Sequence, residues 1–159
     1  MRPNSRFVLA THVLTLLAHY NKAISSSAIA RSAGVNPVTV RKIISRLRAM
    51  NLVTTSAGPE GGASLARPAD QIELGTLFLE FGIDSVYGAF LKDTSADCIV
   101  GKHLEPSLEA LLAAPYQQFV AALEQVTVAD VLTRVRGAAG TLDAAAIIDG
   151  ISLGGSQKV

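Results

Sequence analysis

A mainly α chain carrying one small β-hairpin is predicted, on three observations. Apolar residues recur at helical spacing in successive segments before residue 50. A Gly/Pro-rich tip, A-G-P-E-G-G, then separates two short β-prone runs, L-V-T-T-S and A-S-L-A-R-P. Beyond residue 100, Leu104, Leu108, Leu111, Leu112, Pro115, Phe119 and Leu123 keep mostly spacings of three and four over about twenty residues, as in an exposed helix seeking a partner helix. Three helices followed by a hairpin is the order of a winged helix-turn-helix domain, here followed by a long dimerisation helix.

The first helix is capped by Ser5 and carries Phe7, Ala10, Val13, Leu14 and Leu17 on one face. It ends near the turn-prone pair Tyr20-Asn21, and Ile24 anchors the chain before a serine run. Ser26 or a neighbour caps a short helix over Ala28–Ser32, and Gly34 makes the turn. Asn36 is a good N-cap for the next helix, and Pro37 suits its first position, where the missing N–H costs nothing. In that helix Val40, Ile43, Ile44 and Leu47 form the buried stripe. Val38, Lys42 and Ser45 lie opposite, flanked by Thr39, Arg41 and Arg46. Asn51 sits where a helix end tolerates the left-handed conformation. The hairpin is the wing, and Pro68 ends it.

Residues 1–68 are therefore read as the winged domain and 69–101 as a short helix with a connector. Residues 102–136 are the dimerisation helix and a following helix, and 137–159 are a tail. Leu74, Leu77, Phe78 and Phe81 line the short helix. Gly82 to Gly101 is expected to be irregular, with Val86, Phe90 and Leu91 as an apolar satellite. Pro106 is placed in the first turn of the long helix, and Pro115 is expected to kink it. Thr127 caps a last helix over Val128–Arg134, and Leu142–Ile148 is mildly helical.

Composition narrows the class. An apolar content of 49% suffices for a core, and a charged content of 17% is low for a disordered chain. The net charge of +1 hides a division: residues 1–67 hold nine Lys/Arg against the single acid Glu60, a balance of +8, whereas residues 68–159 carry −7. Such asymmetry points to a polyanion-binding part joined to a part of other purpose, with nucleic acid the favoured partner. One cysteine, Cys98, excludes an internal disulfide framework and suits a reducing cytosol. The start, M-R-P-N-S-R-F, passes straight into an amphipathic pattern with no signal peptide, and no apolar run reaches the ~18 residues of a membrane span. A cytoplasmic location is expected. His12, His19 and His103 have no zinc spacing, and neither a phosphate loop nor a nucleophile elbow is present, so no enzyme is expected.

N-P-V-T-V-R-K-I-I-S-R-L at 36–47, N-L-V at 51–53, G-P-E-G-G-A-S-L-A-R-P at 58–68 and I-E-L at 72–74 resemble the Rrf-two family of bacterial winged-helix transcription regulators. S-R-F at 5–7 and L-L-A at 16–18 match its opening helix, and the resemblance covers roughly residues 5–126. It implies a homodimer in which the helix at about 102–124 crosses its mate along Leu104, Leu108, Leu111, Leu112, Phe119 and Leu123. It also implies two recognition helices in successive major grooves of a partly palindromic operator. Val38, Thr39, Arg41, Lys42 and Arg46 then face DNA, with small Thr39 and Ser45 letting the helix lie deep. The wing Ser56–Gly62 lies along the minor groove or its phosphates. Arg6, Ser26, Asn36, Ser56, Gly58, Gly61, Gly62 and Arg67 complete the expected contact set. The wing glycines combine turn geometry with close backbone approach.

Cluster-binding members of the family carry three cysteines before the long helix. Here only Cys98 is present, and Asp97, His103 and Glu105 do not complete an iron–sulfur set, so no cofactor is expected. Ala63 stands where an aromatic residue is common, and Glu60 puts a negative charge at the wing tip. Three readings of Cys98 stand: a small, partly buried residue at the base of the long helix, a thiol sensor with Lys102 and His103 as neighbours but Asp97 opposing it, or a cluster or metal ligand. The expected function is sequence-specific operator binding by a homodimeric repressor under an effector the sequence does not name, redox among the candidates. The alternative is a winged-helix module that binds another protein.

Overall fold

A computed structural model describes residues 5–58, 61–82 and 98–139. The chain runs through α1 (Ser5–Tyr20), α2 (Ser26–Ala33), α3 (Pro37–Ala49), β1 (Val53–Ser56), β2 (Gly62–Leu65), a 3-10 turn (Ala69–Gln71), α4 (Leu74–Phe81), α5 (Ile99–Glu124) and α6 (Val128–Ala139). It is mainly helical with one antiparallel hairpin, as the spacing predicts.

Local chemistry explains most boundaries. Ser5 is itself the first helical residue of α1 rather than the residue before it. α2 starts two residues before the expected Ala28 because Ser25, not Ser26, caps it: extended at φ −67°, its hydroxyl accepts the N–H of Ala28 at 3.2 Å. Gly34 closes α2 in the left-handed conformation at φ 64°. Asn36 then caps α3 through Oδ1, which accepts the N–H of Val38 at 2.8 Å, with Pro37 in the first turn. Asn51 adopts φ 56° just beyond the end of α3.

The strands pair Val53 with Leu65, Thr54 with Ser64, Thr55 with Ala63 and Ser56 with Gly62. A third backbone segment joins them, unannounced by the sequence. Ile24 and Ala63 exchange two hydrogen bonds of 2.9 Å each, forming a bridge beside β2. The wing is thereby pinned to the link between α1 and α2.

Ala10, Val13, Leu14 and Leu17 of α1 are buried with Val40, Ile43, Ile44 and Leu47 of α3. That cluster crosses residue 68. Ile72, Leu74, Leu77 and Phe81 belong to it, as does Val128 from the far end of the chain. The strap is backbone: Leu74 N–H donates to Val126 O at 2.8 Å, and Val128 N–H to Ile72 O at 2.9 Å. α6 then packs along α1. It runs on to Ala139, past the expected Arg134. Its start is a reciprocal cap: Thr127 Oγ1 accepts the Asp130 N–H at 3.2 Å, while the Asp130 carboxylate accepts from the Thr127 N–H and hydroxyl at 2.8 and 2.7 Å. The hydrogen bonds from Thr127 hold the Asp130 carboxyl below its usual range.

α5 corrects two expectations. It begins at Ile99, so residues 99–101 are helical rather than connector, and Pro106 lies well inside the helix rather than in its first turn. The cause is Cys98, whose extended backbone and sulfur cap the helix earlier. The helix runs unbroken through Pro115 as well. Each proline removes one hydrogen bond, and the carbonyls of Lys102 and Leu111 four residues earlier lie on exposed residues where water can satisfy them. The rest of the expected connector, with Val86, Phe90 and Leu91, and the mildly helical Leu142–Ile148, lie outside the described residues. Among the described residues no helix is long and apolar enough to cross a membrane.

One titratable group inside the fold gives a pH signature. His12 on α1 meets Ser32 on α2, Nε2 to Oγ at 3.1 Å, and burial holds its imidazole below the usual 6.5. The unfolded chain therefore takes up the proton first as pH falls. Stability is full above about pH 6.5 and declines as pH drops from there through the folded value. Thermal midpoints recorded from about pH 7.5 to 5 should fall on this account. His12→Gln, which keeps a hydrogen-bonding group without the titration, should flatten the decline in that window.

Candidate nucleic-acid interface

The interface is built on α3. Burial of its apolar stripe against α1 leaves Arg41, Lys42, Ser45 and Arg46 exposed and Thr39 half-buried. Val38, at the start of the helix, is 49% exposed, which places an apolar side chain on the same open surface. The exposed side is thus short-polar and cationic, as the spacing predicts.

Two hollows flank this helix and gather residues that are distant in sequence. On one flank a cleft of about 530 Å³ brings Arg6 of α1 beside Lys42, Ser45 and Arg46, with Glu80 and Phe81 of α4 as its far wall. On the other, a smaller hollow of about 180 Å³ joins Ser26 at the start of α2, Arg41 and the wing residues Thr55, Ser56 and Gly62. The start of α2 and the wing therefore approach Arg41 from two sides.

Some expected residues stand apart. Arg67, Gly58 and Gly61 line neither hollow; Arg67 and Gly58 are exposed, with Gly58 at φ 105° in the turn. Asn36 is exposed, but its Oδ1 is engaged as the cap of α3. Gly62 has a packing reason of its own: a Cβ there would lie 2.4 Å from the carbonyl oxygen of Ile24. Ala63, facing the same bridge, is 1% exposed, so the site of the missing aromatic is a tight interior position. Glu60, the expected acid of the wing tip, lies outside the described residues.

Glu80 was not legible as part of this surface. Its carboxylate oxygen Oε1 accepts from Arg46 Nε at 2.6 Å and is ion-paired with Nη2. The two residues lie 34 apart on separate helices, and no local pattern connects them.

Cys98 is exposed, which removes the partly buried reading. Its sulfur accepts the N–H of Gly101 at 3.4 Å at the head of α5. Lys102 and His103 are exposed on the following turn, and Asp97 lies outside the described residues.

A winged helix that turns a cationic, short-polar helix face outward beside a hairpin has the build of a DNA-binding transcription regulator. Comparison with known proteins agrees. The profile of the Rrf2 family, described as an iron-dependent transcriptional regulator, matches residues 4–134. YwnA of Bacillus subtilis (strain 168), assigned as an HTH-type transcriptional regulator, is 34% identical over 106 residues, covering 67% of this chain and 78% of that protein. Among solved structures, a chain from Lactobacillus plantarum assigned to transcriptional regulation superposes with a TM-score of 0.68 at 24% identity, covering 90% of this chain and 97% of that one. IscR of T. potens superposes with a TM-score of 0.63 at 20% identity, over 87% and 90% of the two chains. The chain belongs to the Rrf2 family of transcriptional regulators. The family and these relatives are regulators rather than enzymes.

The family description raises iron, and the donor set answers it. The whole sequence holds one cysteine, whereas a thiolate-ligated cluster needs several. Among the described residues no three His, Cys, Asp or Glu side chains stand close enough to share a metal ion. One cysteine does not by itself make up the thiolate set of such a cluster.

Proposed function

We propose that the protein is a cytoplasmic homodimeric repressor that binds a partly palindromic operator through α3, the start of α2 and the wing. The observation that carries this reading is the division of α3. Val40, Ile43, Ile44 and Leu47 are committed to the core, while Arg41, Lys42, Ser45 and Arg46 are left on an open face flanked by two hollows.

Arginine and lysine on that face supply forks and point charges for phosphate oxygens and for guanine O6 and N7. Ser26, Ser56 and the Gly62 backbone provide short hydrogen-bonding groups beside Arg41. Arg6 extends the basic surface along α1. Two such heads in a dimer read half-sites about 10 bp apart, one helical turn, or a small multiple of it.

The dimer is supported by α5. Leu104 and Leu111 are 46% and 73% exposed, which leaves this side of the helix largely uncovered by the described residues. Leu108 and Leu112 are half-buried. Phe119 and Leu123 have a second commitment: Phe119 packs edge-on against Phe78 at 5.2 Å, and Leu123 lies against the core. The seam therefore centres on the first half of α5, and its second half carries the seam's orientation back to α4. The signal in this reading is a thiol reaction at exposed Cys98, at the head of the same helix, with no metal or cofactor.

Selection of bound fragments from genomic DNA, with reduced and with oxidised protein, tests the whole reading. A recurrent palindromic site is expected, with affinity falling steeply as salt rises. The oxidised and reduced proteins should differ, and Cys98→Ser should abolish the difference. A protein that enriches no sequence and binds duplex without salt dependence would instead be a protein-binding winged helix.

A further inference from the structure

We propose that Glu80 is a positioning residue that presents Arg46 to a guanine edge in the major groove, and thereby sets a base preference of the reading head. The inference rests on the DNA-binding reading above and assigns a role to a side chain outside the helix-turn-helix.

Glu80 is the penultimate residue of α4, and its neighbours Leu77, Phe78 and Phe81 are buried. Its backbone is therefore held by the core. Arg46, by contrast, is an arginine on an exposed helix face, with many rotamers open to it. The hydrogen bond from Nε and the ion-pair contact of Nη2 both fall on Glu80 Oε1 and use only one side of the guanidinium. The end of the fork, Nη1 with the remaining Nη2 hydrogen, meets no acceptor among the described residues, and the Arg46 side chain is 63% exposed. That end carries the parallel pair of N–H groups that matches guanine O6 and N7. Glu80 has thus already restricted the arginine in an orientation that leaves its recognition edge open.

Charge selects a base edge over a phosphate. The Arg46–Glu80 pair is formally neutral. A phosphate approaching the free end of the fork would also approach the Glu80 carboxylate and be repelled by it, whereas the guanine edge is a neutral acceptor. Arg6 and Lys42, in the same cleft, form no ion pair among the described residues and keep their full charge for the backbone. The cleft thereby separates two tasks: Arg6 and Lys42 neutralise phosphate, and Arg46 reads.

The test is selection from a duplex pool randomised at its centre, with bound DNA sequenced for wild type, Glu80→Ala, Glu80→Gln, Arg46→Ala and Arg46→Ala/Glu80→Ala. Circular dichroism confirms that each variant is folded. Wild type should show a position, repeated in both half-sites, with a guanine preference of about tenfold or more, as a bidentate arginine contact gives. Arg46→Ala and Glu80→Ala should each reduce that preference to about twofold or less, and the double variant should match Arg46→Ala. Glu80→Gln, which keeps an acceptor oxygen without the charge, should retain more of the preference than Glu80→Ala. Retention of the wild-type preference by Glu80→Ala, or a further change when Glu80→Ala is added to Arg46→Ala, would overturn the assignment while leaving DNA reading intact. Failure of wild type to enrich any sequence would remove both.

Discussion

Replacing Arg41 and Lys42 together by alanine is expected to cost operator affinity more than any other pair of surface changes on the first 68 residues. Both side chains are exposed on α3, and each lines a different hollow, Arg41 the one beside the wing and Lys42 the one beside α4. A lost base contact is worth about 1–3 kcal/mol per half-site, and a lost phosphate contact lowers the slope of log affinity against log salt by about one. A dimer carries each residue twice. Affinity should therefore fall by at least about a hundredfold, with a visibly shallower salt dependence, in a titration of duplex operator by fluorescence anisotropy. Neither residue contributes to the buried cluster, so the thermal midpoint should stay near that of wild type. Unchanged affinity in the double variant would show that another face of the molecule reads DNA.

The second large effect concerns α5. Leu104→Asp with Leu111→Asp puts two carboxylates on the exposed apolar side of the helix. Burying either leucine in a dimer seam stabilises association by about 1.5–3 kcal/mol, and a charge in its place has no partner there. Light scattering at micromolar concentration should give twice the 16.6 kDa chain mass for wild type and the single mass for the variant. Operator affinity should drop by roughly 10²–10⁴, because the second head no longer binds as an intramolecular event. Since both leucines are already open to solvent within the chain, the variant should remain folded. A wild-type chain that scatters as a monomer would instead remove the seam.

The contrast between these variants mirrors how the molecule is assembled. Residues expected to read DNA are attached to a helix whose other side is locked into the core. Those expected to dimerise lie on a helix in which, among the described residues, only Val120 is buried. α5 is nevertheless not loosely attached. Phe78 of α4 meets Phe7, Tyr116 and Phe119 at ring-centroid distances of 5.5, 6.4 and 5.2 Å, linking the first helix to the second half of α5. The backbone strap at residues 72–74 and 126–128 closes the same corner. In the proposed dimer, a rotation of α5 against its mate would be transmitted to the winged domain through packed aromatic rings and paired backbone.

Local features were legible from residue order alone wherever a short-range rule governs them. The i, i+3, i+4, i+7 spacing in α3 identified its buried stripe, because a helix of 3.6 residues per turn allows those side chains only one side. Asn36-Pro37 announced the start of α3, and Gly34 and Asn51 its flanking turns, because capping and positive φ depend on neighbouring atoms. The uneven charge and the N-P-V-T-V-R and G-P-E-G-G segments sufficed for the class of protein. The wing was visible as two runs with a glycine-rich tip. The cap of α2 was legible only as Ser26 or a neighbour because three serines compete for it, and it falls to Ser25, in an extended backbone after the Ile24 bridge.

Only the tertiary structure decided the contacts between elements that the chain separates widely. Arg46 and Glu80 lie on helices with no shared period, so their pairing depends on how α4 docks, as does the cleft that holds Arg6. The bridge from Ile24 to Ala63, which leaves Gly62 no room for a side chain, is equally non-local. So is the return of α6 to α1, which joins the far end of the long helix to the winged domain. Sequence by itself determined which helix carries an exposed cationic, short-polar face, since periodicity and capping act within a few residues. Which side chains stand ready around that face, and what orients them, was decided by packing over tens of residues, because a core of close-fitting side chains admits few arrangements and no short motif specifies them.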